Sequence, residues 1–532
     1  MPTYHVHANF MTEFALAAGR VYRDPYEDVD VDVVFAGPGG RRARVPAFWA
    51  GGQTWRIRFA PPAVGKWTYE TVCTNADDPG LHGQSGGVVA QEFGGDRANP
   101  LLRHGRLRVA SDRRHLEMTD GTPFFWLGDT WWMGLCARID WPLGYQKLVF
   151  DRVAKGFTVV QMVAGPYPDM DAWDPRGRSL AGFPFAAGFE RINPEYYDMA
   201  DLKIGYLVRN GLVPCIVGMW GYYLPQIGIE RVKRYWRYLV ARYGAYPVVW
   251  CMAGEATMPY YLSETREADS KLQRAGWTEV ARYVQQIDGF DNPITIHPGR
   301  FAHDEVEDPS ALDIDMLQTG HGDRESVLNN AASVTAAVAH EPRMPVVVGE
   351  VNYEGIMGRC WEDVQRMCFW TSILNGAAGH TYGANGIWQA STADEPYGAS
   401  PHGHAWGNTP WQEAYHLPGS SQLGPARRLL ERYPWWQMRT HNEWVEPAWD
   451  GREVYRPTAA GIPRELRIIY APMVWDAPLV KGIEADVEYD ALYFDPRSGE
   501  EISLGRVKPS ADGTWRAPVP PEMHDWVIVM TA

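Results

Sequence analysis

The hydrophobic rhythm of the chain changes twice. Over residues 1–95, apolar positions alternate with polar ones in short bursts. "DVDVDVVFAG", "TWRIRFAP" and "GKWTYETVC" stand apart at Gly/Pro turns such as "GPGG" and "PPAVGKW". Period-two alternation at this spacing predicts the strands of a β-sandwich. The most acidic run, "DPYEDVDVD" at 24–32, reads as a solvated edge strand rather than a cation site. The polar stretch "EFGGDRANPLLRHG" that follows reads as a linker.

From 105 to 438 short apolar runs alternate with helical patterns. Eight runs read as strands: "PFFWLGD" (123–129), "FTVVQMVAG" (157–165), "LVPCIVGMW" (212–220), "PVVWCMAGE" (247–255), "PITIHPG" (293–299), "DIDMLQTG" (313–320), "MPVVVGE" (344–350) and "GAAGHTYG" (376–383). Between them, "LGYQKLVFDRVAKG", "GIERVKRYWRYLVARYG" and "KLQRAGWTEVARYVQQID" carry apolar residues at three- and four-residue spacing, the mark of helices with one buried face. Eight strands with intervening helices predict a (β/α)8 TIM barrel. From 440 to 532 the chain is β-rich again, with "RELRIIYAP", "DVEYDALYFDPRSGE" and "DWVIVMTA". The expected fold class is therefore a multidomain protein: β-sandwich (1–95), (β/α)8 barrel (105–438), β-sandwich (440–532).

Composition narrows the partners. Of 532 residues 45% are hydrophobic, enough for large cores, and 24 are Trp. Most of these must pack cores; some are candidates for stacking on sugar faces. A net charge of −15 argues against nucleic acid, which needs a basic patch. The six cysteines show no CxxC pair and no metal-finger spacing, and several lie in apolar runs, as buried thiols of a reducing compartment do. The N-terminal stretch lacks a basic region followed by a sustained apolar one. No run approaches the roughly 20 apolar residues of a membrane span. The expectation is a cytoplasmic protein without a membrane partner; its oligomeric state, a homo-oligomer included, is left open.

Two predicted strands, the fourth and the seventh, end in Gly-Glu: "VVWCMAGE" at Glu255 and "PVVVGE" at Glu350. Carboxylates at the C-terminal ends of barrel strands converge on the mouth where βα-barrel active sites form. Two of them can flank a glycosidic bond, one holding a proton for the leaving oxygen, the other ionised to attack the anomeric carbon or activate water. Further polar or aromatic residues end or follow other strands: Asp129 and Trp131, Trp220, His297, His321, His380 and Tyr382, with Trp388 beyond. These are the candidate substrate contacts, and at least two of the aromatics Trp131, Trp220, Tyr382 and Trp388 are expected to border one pocket with the glutamates. "SPHGHAWG", with His402 and His404, reads as a loop over the mouth, since no third metal ligand is near. GxGxxG, P-loop and GxSxG signatures are absent. Neither metal nor cofactor is expected, and the partner is a carbohydrate. The contrasting reading is a non-catalytic carbohydrate-binding barrel, against which the presence of both glutamates argues.

"PFFWLGDTWW", "DRVAKGFTVVQMV", "VVWCMAGE" and "PVVVGEVNYEG" resemble the apiosidase-like glycoside hydrolases. The runs "VYRDPYEDVDVDVVFAGPGG" and "FWAGGQTWRIRFAPPAVGKWTYE" are similar to the small sandwich that often precedes that barrel, and the C-terminal part resembles the family's usual tail. The resemblance implies retention through a glycosyl-enzyme intermediate, with Glu255 as acid/base and Glu350 as nucleophile. Glutamate stands at 255 where the family often has aspartate, and Gly254 where many retaining barrels have the asparagine that holds a sugar 2-hydroxyl. Exo-action on a small glycoside or oligosaccharide, furanosides included, is the expected activity.

Overall fold

The computed structural model describes residues 2–93, 99–473 and 477–532. All eight runs predicted as barrel strands form strands of one parallel sheet. They are β1 (Trp126–Thr130), β2 (Val159–Val163), β3 (Val213–Val217), β4 (Val249–Cys251), β5 (Ile294–Thr295), β6 (Asp315–Gln318), β7 (Val346–Glu350) and β8 (Gly379–Tyr382). Their order is 5-4-3-2-1-8-7-6. The seam between β5 and β6 is tied by the Asp313 amide to the Ile294 carbonyl, 2.8 Å, and by the Thr295 hydroxyl to the Ile314 carbonyl, 2.9 Å. An eight-stranded parallel sheet joined edge to edge in this way is a TIM barrel.

The helices lie outside it: α1 (Leu143–Lys155), α2 (Pro194–Arg209), α3 (Ile229–Tyr243), α4 (Arg266–Ile287), α5 (Arg324–Ala339), α6 (Glu362–Leu374) and α7 (Gly419–Leu430). Helix α1 stops at Gly156, whose φ of 89° is the left-handed cap that glycine adopts without penalty. Between β5 and β6 the described chain makes two short 3-10 turns, Ala302–Asp304 and Pro309–Ala311, where the repeat would place a helix.

The N-terminal strands form two antiparallel-dominated sheets packed face to face. One contains Val31–Ala36 and Gly65–Cys73, the other Thr54–Phe59. Phe35 and Phe59 stack across the gap with ring centres 3.8 Å apart. The acidic run differs from its expected role. Val31–Ala36 is interior to its sheet, between Arg42–Pro46 and Gly65–Cys73, so it is no edge. Its carboxylates instead face α3: Glu27 and Asp30 pair with Arg234, and Asp30 and Asp32 with Arg237. The acidity is half of a domain interface. Arg58, nearly fully buried, extends the same interface to the Arg242 carbonyl (2.7 Å) and to Asp201 of α2. Residues 94–98 of the expected linker lie outside the described residues. Asn99 docks on the barrel, donating to the Val208 carbonyl at 2.7 Å.

The C-terminal part forms a six-stranded and a three-stranded sheet, a second sandwich. Its strands Leu466–Ala471 and Trp526–Thr531 read as near-continuous apolar runs, interrupted in the first by the buried, ion-paired Arg467, because both faces are covered. Ile469, Ile528 and Met530 belong to the core of this sandwich, whereas Ile468, Tyr470, Val527 and Val529 join the barrel core. Tyr470 stacks on Trp370 of α6. Beside that contact the buried pair Arg366–Asp525 makes two hydrogen bonds of 2.7 Å.

Candidate active site

The chain continues past β4 through Met252, Ala253 and Gly254, hydrogen-bonded to its neighbours on both sides. The Gly254 amide donates to the Met219 carbonyl (3.0 Å), and its carbonyl accepts from the Gly221 amide (2.7 Å). This extension carries Glu255 to the barrel mouth. A side-chain carbon added at Gly254 would fall within the indole of Trp220, and one at Gly349 against the Met316 side chain. The glycine before each glutamate is thus space for a large neighbour. Glu255 itself has φ 41°, a left-handed conformation costly for a residue with a side chain. Its flanking residues are tied to the neighbouring chain segments, Gly254 as above and the Ala256 amide to the His297 carbonyl at 3.2 Å.

Glu350 ends β7. On β6 the register slips between Leu317 and Gln318, so that Gln318 stands opposite Glu350; bulges commonly re-aim a side chain in this way. The Gln318 amide nitrogen lies 3.1 Å from Glu255 Oε1 and 3.4 Å from Glu350 Oε1. One nitrogen reaching both oxygens keeps them no farther apart than the two distances end to end, about 6.5 Å.

The two carboxyls have opposite surroundings. His321 Nε2 is 2.8 Å from Glu350 Oε1, and the Tyr353 hydroxyl donates to Oε2 at 2.5 Å. His297 Nε2 lies 3.2 Å from the same oxygen, at an angle outside hydrogen bonding. Because the Tyr353 amide donates to His321 Nδ1, the His321 proton is on Nε2 and points at the carboxylate. Burial works against the charge on Glu350, but the two imidazoles outweigh it and hold the carboxyl well below its ordinary range. Glu255 receives the Trp220 indole N–H at 3.2 Å besides Gln318. Burial, and then the negative charge of Glu350, push its pKa up to about 7. One carboxyl is set to be ionised and the other to carry a proton near neutrality.

A cavity of about 240 Å3 opens over the pair. Among the expected contacts, Trp220, His321 and Trp388 line it with both glutamates. Trp220 and Trp388 meet the expectation that two of the four named aromatics border the pocket. His297 is fully buried beneath, in edge contact with Trp132. Four expected contacts do not reach the cavity, being fully buried behind the sheet. Asp129 is bound by Arg152 of α1, at 2.5 Å, and by the Trp131 indole, at 2.6 Å. Trp131 packs edge-on to Tyr145 of α1. His380 faces Phe369 of α6; burial lowers its pKa to about 3, leaving it neutral. The Tyr382 hydroxyl donates to Glu354. Alternate residues of a strand point to opposite faces, and these four point to the helix layer.

The residues in their place are Trp132, Asp169, Tyr261, Gln318, Tyr353, His402 and Trp406. Trp132 is one position from the residue chosen from sequence. Tyr353 stands in "GEVNYEG", three residues past Glu350, a signal that was present. His402, on the loop expected over the mouth, stacks on Tyr261 with ring centres 4.7 Å apart. No cluster of three or more His, Cys, Asp or Glu suited to a metal occurs among the described residues. A second cavity, of about 280 Å3, lies at the opposite end, where Met344 and Val346 begin β7. No carboxylate lines it.

A family model described as "Apiosidase-like, catalytic domain" matches residues 110–437, and one for a domain of unknown function, DUF5060, matches 3–74. No curated protein matches. Among solved structures, a putative glycoside hydrolase from Bacteroides vulgatus aligns over 99% of both chains, with TM-score 0.71 and 17% identity. A protein titled "Glycoside hydrolase" aligns over 82% of this chain and 98% of its own, with TM-score 0.67 and 21% identity. A glycoside hydrolase family 5 protein from Bacteroides vulgatus covers 82% and 95%, with TM-score 0.66 and 20% identity. At these identities the structural likeness speaks for the fold.

Proposed function

The chain belongs to the Apiosidase-like family of glycoside hydrolases and is a glycosidase, and on that premise we propose a retaining, exo-acting enzyme in which Glu350 is the nucleophile and Glu255 the acid/base. Gln318 carries the reading. Its single amide nitrogen reaches an oxygen of each carboxyl, at 3.1 and 3.4 Å, and so close a pair suits direct attack by one carboxylate in a retaining mechanism. The protonation states support the same division of labour. Ionised Glu350 attacks the anomeric carbon while Glu255 gives its proton to the leaving oxygen; Glu255 then takes a proton from the water that releases the sugar. Gln318, His321 and Tyr353 hold the nucleophile in place.

A cavity of about 240 Å3 is smaller than the roughly 300–1,000 Å3 of typical small-molecule clefts, which favours terminal sugars, furanosides or pyranosides, over a long groove. Six unpaired, buried cysteines support a cytoplasmic setting, where the substrate is a small glycoside or oligosaccharide. The division at 1–95, 105–438 and 440–532 is the domain organisation that goes with this reading.

The test is azide rescue on an aryl-glycoside panel. Glu255→Ala with azide is expected to give a glycosyl azide of retained configuration, because azide needs no base. Glu350→Ala with azide is expected to give the inverted product, from the vacated face. Normal turnover of a poor leaving group by Glu255→Ala would reject the assignment. A wild-type protein that binds sugars but hydrolyses none would establish the non-catalytic alternative.

A further inference from the structure

The cavity holds a third carboxylate. Asp169 lies on the loop after β2, and two other loops converge on its side chain. Tyr261, from the loop after β4, donates its hydroxyl to Oδ1 at 2.6 Å. Trp406, from the loop after β8, donates its indole N–H to Oδ2 at 3.1 Å. Only 7% of the residue is exposed, and what is exposed faces the same cavity as Glu255 and Glu350. Its backbone φ is 56°, in the region that costs a non-glycine residue energy. Burying a carboxylate carries a further cost. Asp169 forms no ion pair with Lys or Arg among the described residues, so its charge is not neutralised as that of Asp129 is by Arg152.

Each carboxylate oxygen offers about two acceptor sites. Tyr261 and Trp406 use one on each oxygen, which leaves about one acceptor site on each oxygen for a ligand in the cavity. Two adjacent acceptors match two adjacent hydroxyls. The rest of the lining sharpens this match. It includes the carboxyl groups of Asp169, Glu255 and Glu350, two histidines and one amide, with Trp132, Trp220, Trp388 and Trp406 as flat apolar surface, and neither Lys nor Arg. A uronic acid or sugar phosphate would add its negative charge to those of Asp169 and Glu350 with no Lys or Arg to meet it, at a cost characteristic of like charges in a partly buried site.

We propose that Asp169 is the specificity-determining residue of the pocket, accepting hydrogen bonds from a vicinal diol of the terminal sugar, and that the substrate at this position is a neutral sugar. The inference deepens the glycosidase reading above and rests on it for the word substrate; the sugar-binding claim stands on the cavity alone.

The experiment reads binding first, so that it does not depend on turnover. Quenching of tryptophan fluorescence is titrated with D-glucose, D-galactose, D-mannose, D-xylose, L-arabinose and D-apiose, with monodeoxy analogues of whichever binds, and with D-glucuronate and D-glucosamine. The wild type is expected to bind at least one neutral sugar and to bind glucuronate at least tenfold more weakly than glucose. Asp169→Asn is expected to weaken the preferred sugar about tenfold or more, as loss of charge-assisted hydrogen bonds does. It should leave the analogue lacking the contacted hydroxyl nearly unchanged. That coupling separates a reader of hydroxyls from a residue that only ties loops together, which would weaken every sugar alike. Tyr261→Phe, which leaves the carboxylate in place, should keep the discrimination, and guards against a misfolded variant. Absence of binding by any neutral sugar, tighter binding of glucuronate or glucosamine than of glucose, or equal losses on parent and deoxy sugars in Asp169→Asn would each overturn the proposal. Binding with that discrimination but no hydrolysis would overturn the catalytic reading and leave this one standing.

Discussion

Glu350 should hold the proton on Glu255 through space, and the size of that effect can be worked out. The rise of Glu255 from 4.5 to about 7 corresponds to roughly 3.4 kcal/mol at about 1.36 kcal/mol per pKa unit. Two unit charges taken at that limiting oxygen separation of about 6.5 Å repel by roughly 2.6 kcal/mol at an effective dielectric of about 20. Burial is the larger contributor and the cavity is open to water, so about half of that figure, near one pKa unit, is assigned to Glu350. The perturbation is Glu350→Gln, which removes the charge and keeps the shape. With 13C-labelled glutamate, the slow-titrating carboxyl of Glu255 is expected near pH 7 in the wild type and about one unit lower in the variant. Burial should keep it above the ordinary 4.5. The wild-type pH profile follows with a definite sign. An acid that must be protonated is lost as pH rises, so kcat/KM on poor leaving groups should fall through about 7. Glu350 must be ionised, so the acidic limb should lie well below the ordinary carboxylate range. An unchanged Glu255 titration in Glu350→Gln would refute electrostatic coupling of the pair. A basic limb below pH 5 would refute Glu255 as the acid.

Two further outcomes probe the frame that holds the site. Gly254→Ala should displace the Trp220 indole and cost about 1–3 kcal/mol, the range for overpacking. It should also lower kcat/KM, whereas Gly349→Ala, which meets the flexible Met316 side chain, should cost less; thermal unfolding and kinetics of the two variants check the order. Asp525→Ala should leave Arg366 charged and buried and cost about 3–5 kcal/mol. The midpoint of urea unfolding should fall accordingly, and Arg366→Met combined with Asp525→Leu should recover much of the loss.

The sequence by itself determined the architecture and pointed to Glu255 and Glu350 as the candidate pair. Strand and helix periods are local, and each of the eight barrel runs carries its own apolar pattern and turn residues. The Gly-Glu endings were legible because a strand that closes on a carboxylate is poorly suited to a core. What only the tertiary structure decided was which side of each strand faces the mouth. Asp129, Trp131, His380 and Tyr382 sit at the ends of β1 and β8, as the sequence indicates, yet they point to α1 and α6 or their surroundings. Trp132, one residue on, points inward. A period of two makes neighbours opposite in fate, and the phase is set by pairing with adjacent strands and by the helix layer, neither of which the local sequence records. The bulge that places Gln318 between the glutamates is likewise a property of two strands together. Asp169, Tyr261 and Trp406 come from loops separated by up to 237 residues, and nothing near any one of them names the others. The acidic run 24–32 shows the same limit: its charge was plain, but its partners Arg234 and Arg237 lie on a helix some 200 residues away, brought near only when the sandwich docks on the barrel.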